Sequence, residues 1–128
     1  MATDPTRQFL ALPWRRAVLL DLRVEHRGAG YVQTVSFSVA WPGGRRSIVS
    51  FREPYALDAR LTFGIVVPDT VHKATVGVRS AALDRIRRVW TRLGAPPEEL
   101  CCFALEMAST GSVKVYASEW SARDAATH

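Results

Sequence analysis

Two runs of strict period-two alternation, joined by a turn signal, constrain this chain more than any other feature in it. From Ala17 to His26 the apolar residues Val18, Leu20, Leu22 and Val24 alternate with Asp21, Arg23 and Glu25. From Tyr31 to Trp41, Val35, Phe37, Val39 and Trp41 alternate with Thr34, Ser36 and Ser38. Successive side chains of a strand point to opposite faces, so each run reads as a strand with one face on a core and the other in water. Arg27-Gly28-Ala29-Gly30 predicts the turn between them, with His26 facing Tyr31 and Leu22, Leu20 and Val18 opposite Val35, Phe37 and Val39. Pro42-Gly43-Gly44 predicts the next turn, followed by a strand from about Arg46 to Glu53 in which Val49 and Phe51 oppose Val39 and Phe37. The first half therefore opens with a β-meander.

Beyond Pro54, Leu61, Phe63 and Ile65 alternate and predict a further strand. Pro68-Asp69 ends it, and Val71 to Val78, with Ala74, Val76 and Val78, predicts another. Ser80 then offers an N-cap hydroxyl, and Leu83, Ile86, Val89, Trp90 and Leu93 recur at helical spacing until Gly94 and Pro96-Pro97. The five apolar side chains predict a helix seated on a core. Its other face carries Asp84, Arg85, Arg87, Arg88 and Arg92, with Asp84 and Arg88 four residues apart as an ion pair requires. Ser109-Thr110-Gly111 predicts a closing hairpin with a left-handed glycine, Glu106 opposite Lys114, and Met107, Leu105 and Phe103 meeting Val113, Val115 and Ala117. The whole reads as one α+β domain over residues 1–128: a mainly antiparallel sheet of about seven strands, in the order βββββ-α-ββ, with one amphipathic helix on one face. Residues 1–16 read as an irregular N-terminal segment and 121–128 as a fraying tail.

Composition bears on function in three ways. The 128 residues are 48% hydrophobic and 23% charged, usage that fits a globular domain rather than a disordered chain. The longest apolar stretches, Ala17–Leu20 and Leu100–Leu105, fall far short of the ~20 residues a membrane helix needs. The start lacks the basic-then-apolar order of a signal peptide, so a cytoplasmic location is expected. The net charge of +5 rests on fifteen arginines against two lysines, and guanidinium groups favour carboxylate and phosphate partners.

No catalytic constellation emerges from spacing. Asp21, Glu25, His26, Asp58, Asp69, His72 and Glu106 could each carry a proton, but they form no known motif. Cys101 and Cys102 are adjacent, so on a strand they point to opposite faces, and the histidines are scattered, which leaves no zinc-type ligand set. No glycine loop has the form of a phosphate or dinucleotide site. The reading is of a chain without catalytic residues, metal or cofactor.

Two surfaces remain. The outer face of the meander presents Asp21, Arg23, Glu25, Thr34, Ser36, Ser38, Ser50 and Arg52, and in the predicted register Arg52, Ser36 and Asp21 form one row. Asp21, Arg23, Ser36 and Arg52 are therefore the candidate protein-binding residues. Arg85, Arg88 and Arg92 on the helix are the candidate nucleic-acid contacts, able to run along phosphates. The segment Gly77-Val78-Arg79-Ser80-Ala81-Ala82-Leu83, which follows strands and opens the amphipathic helix, resembles small bacterial toxin-immunity-type proteins. That resemblance covers about twenty residues and the overall layout, and Arg79 stands where such openings often carry an acidic residue. It implies a compact cytoplasmic α+β inhibitor that occludes a cognate protein; a pI near 9.9 points to an acidic partner. The alternatives are a nucleic-acid-binding protein that uses the helix, and a small-molecule-binding or enzymatic domain whose site assembles only in three dimensions.

Overall fold

The computed structural model describes residues 5–26, 32–61, 69–109 and 111–125. Helix α1 (Pro5–Ala11) leads into β1 (Val18–His26), β2 (Val32–Ala40), β3 (Arg46–Arg52), β4 (Ala56–Arg60) and β5 (Val71–Gly77). Helix α2 (Ala81–Arg92) follows, and β6 (Cys101–Met107), β7 (Ser112–Ala117) and β8 (Ser121–Asp124) complete the described elements. The strands form two four-stranded antiparallel sheets, a first in the order β1-β2-β3-β8 and a second in the order β4-β7-β6-β5. Their inner faces pack on each other. Val35, Phe37, Val39, Val49 and Phe51 share one buried cluster with Phe103, Leu105, Met107, Val113 and Val115. The Phe51 and Phe103 rings meet at 5.2 Å across the gap.

The expected single sheet of seven strands is thus corrected to two sheets with eight strands among the described residues. The physical reason is that β2, β3, β6 and β7 each bury a full row of large apolar side chains. One helix cannot cover that much apolar surface, and a second sheet can. The two additional strands, β4 and β8, are edge strands of low hydrophobicity, whereas the expected strand at Leu61–Ile65 falls mostly outside the described residues. The sheets are stitched at one corner, where Val18 bridges to Thr70, Leu19 N–H donates to the Asp69 carbonyl at 2.8 Å, and Val71 N–H donates to the Ala17 carbonyl at 2.7 Å.

All three expected hairpin registers are displaced by two residues. Leu22 lies opposite Phe37, Phe51 opposite Val35, and Glu106 opposite Ser112, with Lys114 opposite Ala104. A shift of two keeps every side chain on its own face, so hydrophobic patterning is blind to it and turn geometry decides. In the β6–β7 hairpin, Met107 N–H donates to the Gly111 carbonyl at 2.9 Å, so the loop closes one residue earlier in the chain than expected and Gly111 pairs with Met107 instead of ending the loop. The requirement for glycine there is one of space: a Cβ on Gly111 would lie 2.5 Å from the Arg60 carbonyl oxygen. In β1 a bulge between Leu19 and Asp21 reverses the pattern, so Leu19 is buried and Leu20, expected in the core, is 46% exposed.

Helix α2 lies on the outer face of the second sheet. The Ser80 hydroxyl accepts from Leu83 N–H at 3.1 Å, as an N-cap does. At the other end Gly94, at φ 82°, allows Gly94 N–H to donate to the Thr91 carbonyl and Ala95 N–H to the Trp90 carbonyl, the paired bonds of a Schellman motif. Only Leu83 is fully buried. Ile86 packs beside it, and Trp90 stacks edge-on against Tyr55 at 5.2 Å and donates to the Tyr55 carbonyl at 3.1 Å. Val89 and Leu93, expected in the core, are 46% and 70% exposed, and neither joins the cluster of Leu83, Leu100 and Tyr116 beneath the helix. Asp84 pairs with Arg87 at 3.4 Å rather than with Arg88.

The segment read as irregular, 1–16, contains α1, and the segment read as a tail, 121–128, supplies β8 on β3. Helix α1 closes one end of the sandwich by inserting Phe9 between Trp14, Phe51, Phe103 and Trp120. A tight turn follows, in which Ala17 N–H donates to the Trp14 carbonyl at 2.8 Å and Arg16 takes φ 70°. The left-handed region costs a non-glycine residue about 1–2 kcal/mol, and glycine gives back about 0.4–1 kcal/mol through its freer unfolded chain. Arg16→Gly is therefore expected to raise the unfolding free energy by about 0.5 kcal/mol in urea denaturation, and Arg16→Ala to raise it not at all.

Candidate functional site

The outer face of the first sheet is a continuous four-stranded surface that no helix covers among the described residues. Parity sets its membership: because Val35, Phe37, Val39, Val49 and Phe51 point inward, their neighbours point out. Asp21, Arg23, Ser36 and Arg52, the candidate partner-binding residues, all lie on this face, but not in the expected row. Arg23 faces Ser36, then Ser50, then Ser121. Arg52 faces Thr34 and Glu25, and Asp21 faces Ser38, then Ile48, then Arg123. The two-residue register shift is the reason.

The resulting surface has a half-buried hydroxyl centre and a charged rim. Thr34, Ser36, Ser38 and Ser50 sit in the middle, with the Ser36 and Ser50 hydroxyls 3.3 Å apart. Arg23, Arg46, Arg52 and Arg123 outnumber Asp21 and Glu25 around them, and all six are exposed. Short hydroxyl side chains add little relief, so a flat, basic area is available to a partner. Arg46 on β3, and Ser121 and Arg123 on β8, are the members that sequence reasoning missed. Strand β8 has four residues, and its inward-parity pairs with β3 are only Ala122 against Val49 and Asp124 against Ser47, too weak a pattern to detect.

On α2 the structure divides the candidate nucleic-acid contacts. Arg88 and Arg92 line a shallow depression of about 590 Å³ together with Asp84, Arg87 and Thr91. Arg85 does not line it, and lies on a flank of the helix where its charge acts on Tyr116. At i, i+3 and i+7 of α2 the three arginines still share one side of the helix, with Arg88 and Arg92 beside the depression and Arg85 beyond it.

Beneath that flank lies a pair that sequence reasoning left as separate residues. Cys101 packs toward the inter-sheet core and Cys102 toward the helix, on opposite faces of β6. Cys102 and Tyr116 are cross-strand partners joined by a side-chain hydrogen bond. Burial pushes the Cys102 thiol up from its ordinary value, against the Tyr116 hydrogen bond and Lys114, while Asp58 adds to the rise. Burial also raises the Tyr116 hydroxyl, helped by Cys102 and Asp58 and opposed by Arg85. Both groups are neutral near pH 7, so this is a structural pair rather than a nucleophile. The unfolded chain releases these protons at lower pH than the folded one. Unfolding free energy is thus expected to hold up to about pH 9 and fall as pH rises further through the folded values. Denaturation curves at several alkaline pH values check this, and Cys102→Ala with Tyr116→Phe should flatten the decline.

Among the described residues, no three His, Cys, Asp or Glu side chains gather as a metal site would require. His26 ends β1 and His72 is the second residue of β5, both exposed, and among the described residues no helix is long and apolar enough to cross a membrane. Comparison with protein-family models, curated proteins and solved structures finds no match to this chain.

Proposed function

We propose that this chain is a non-enzymatic protein-binding domain of the immunity or inhibitor kind, and that the outer face of the first sheet occludes an acidic surface of its partner. The observation that carries this reading is the uncovered sheet face with four rim arginines against two carboxylates. A β-sandwich holds such a face rigid, so little order is lost on binding, and desolvated arginines are frequent anchors of protein interfaces. A standard interface of ~800 Å² per partner would span much of the four strands. Basic charge at the rim would also steer an acidic partner to the face before contact.

The test begins with capture of partners from the source cell's lysate on the immobilised chain. A captured protein counts only if, once purified, it binds the chain directly and binds Arg23→Glu and Arg52→Glu variants more weakly. Full affinity in both folded variants overturns the face. A nucleic-acid reading draws on the depression lined by Arg87, Arg88 and Arg92. It requires affinity for DNA or RNA that falls steeply with salt and loses about one unit of log-log slope per arginine removed.

A further inference from the structure

A second site lies where the turn after α1 meets the start of β5. A cleft of about 400 Å³ runs between them, within the range of small-molecule sites, roughly 300–1,000 Å³. Leu10, Leu12 and Pro13 form one apolar wall and Ala74 lies in the other, with the buried Trp14 behind them. Leu10 is 45% exposed and so open to a ligand. Arg15, His72 and Lys73 complete the lining, and no acidic side chain among the described residues takes part in it.

Two backbone irregularities bring these side chains together. Arg16 at φ 70° turns the chain so that Arg15 leans over β5, and Arg16 N–H is tied to the Val71 carbonyl at 3.0 Å. In β5 a register shift between Val71 and Lys73 makes His72 the extra residue of a bulge. A left-handed arginine and a bulge facing one another across a cleft are the kind of local irregularity that clusters at binding sites. Neither ion pair found among the described residues includes Arg15, His72 or Lys73, although Glu106 lies across the ladder from Lys73. Arg15 and Lys73 are like charges, and an anion between them would offset their repulsion.

We propose that this cleft binds a small carboxylate with an apolar tail, the head held by Arg15 and Lys73 with a hydrogen bond from His72, and the tail laid on Leu10, Leu12, Pro13 and Ala74. The guanidinium of Arg15 suits a carboxylate in bidentate geometry, and Lys73 adds a point charge. Because the cleft is open to solvent, affinity is modest, with a dissociation constant on the order of 1 mM for a short acyl chain. The site shares no residue with the outer face of the first sheet, so either can fail without the other.

The test is an amide NMR titration of the full chain with three probes: octanoate, octanol as the tail without the charge, and acetate as the charge without the tail. Saturable octanoate shifts centred on Leu10, Arg15, His72 and Ala74, about tenfold weaker with either of the others, are expected. An Arg15→Gln, Lys73→Gln double variant with unchanged thermal unfolding should lose about tenfold in octanoate affinity. Octanol binding as tight as octanoate, shifts centred elsewhere, or undiminished octanoate affinity in the folded double variant overturns the proposal.

Discussion

Replacing Phe9 by alanine is expected to lower the unfolding free energy by about 3–5 kcal/mol, a large part of the roughly 5–15 kcal/mol that holds a domain folded. The Phe9 side chain is fully buried, with ring centroids 4.9 Å from Trp14, 5.0 Å from Phe103, 5.5 Å from Trp120 and 6.3 Å from Phe51. It therefore touches both sheets, the loop before β1 and the segment before β8. Helix α1 has seven residues, fewer than the ~12–15 an isolated helix needs in water, so its place depends on this docking. Part of the loss is the missing transfer energy and part is the void left among rigid aromatic rings, which cannot collapse fully. Leu10, the next residue, is the control: at 45% exposure its change to alanine should cost within about 0.5 kcal/mol. Urea denaturation followed by tryptophan fluorescence measures both. A loss below ~1 kcal/mol for Phe9→Ala would show that α1 does not close the sandwich.

The second large effect is on binding. Arg23→Glu and Arg52→Glu are each expected to weaken the partner complex by about 2 kcal/mol or more, near thirtyfold in dissociation constant. Each reversal removes a guanidinium donor and places a carboxylate against an acidic surface, so lost attraction and new repulsion add. Arg23 lies on β1 and Arg52 on β3, two strands and roughly 10 Å apart, far enough for their losses to sum approximately in the double variant. Both side chains are exposed and neither is in an ion pair found among the described residues, so stability should change by less than about 0.5 kcal/mol. Arg88→Glu, on the helix across the fold, should leave partner affinity unchanged. If Arg88→Glu abolishes binding while Arg23→Glu does not, the functional surface is the helix.

The candidate face shows where sequence reasoning carries and where it stops. That Arg23, Ser36 and Arg52 share a surface follows from alternation alone, because a strand whose Val35, Phe37 and Val39 are buried must turn the residues between them outward. Which of them are neighbours did not follow. Arg23 meets Ser36 and Ser50, rather than Asp21 lining up with Ser36 and Arg52, because registers two residues apart bury the same side chains. Ser121 and Arg123 join the face only because β3 offers a free edge to pair with, a non-local fact that the residues themselves do not encode. The Cys102–Tyr116 pair has the same origin, since it exists only once β6 and β7 are aligned.

Local chemistry determined the face of each residue in β2, β3, β6 and β7, the start of α2 at Ser80 and its end at Gly94, since parity and capping depend on a few adjacent residues. The tertiary structure decided the rest. It divided the strands into two sheets, turned Leu20 outward at a bulge, seated only half of the apolar stripe of α2, and drew α1 and β8 into the fold. Each of those outcomes depends on which apolar faces meet across the core, and that is a balance of packing between distant segments rather than a preference of any one of them.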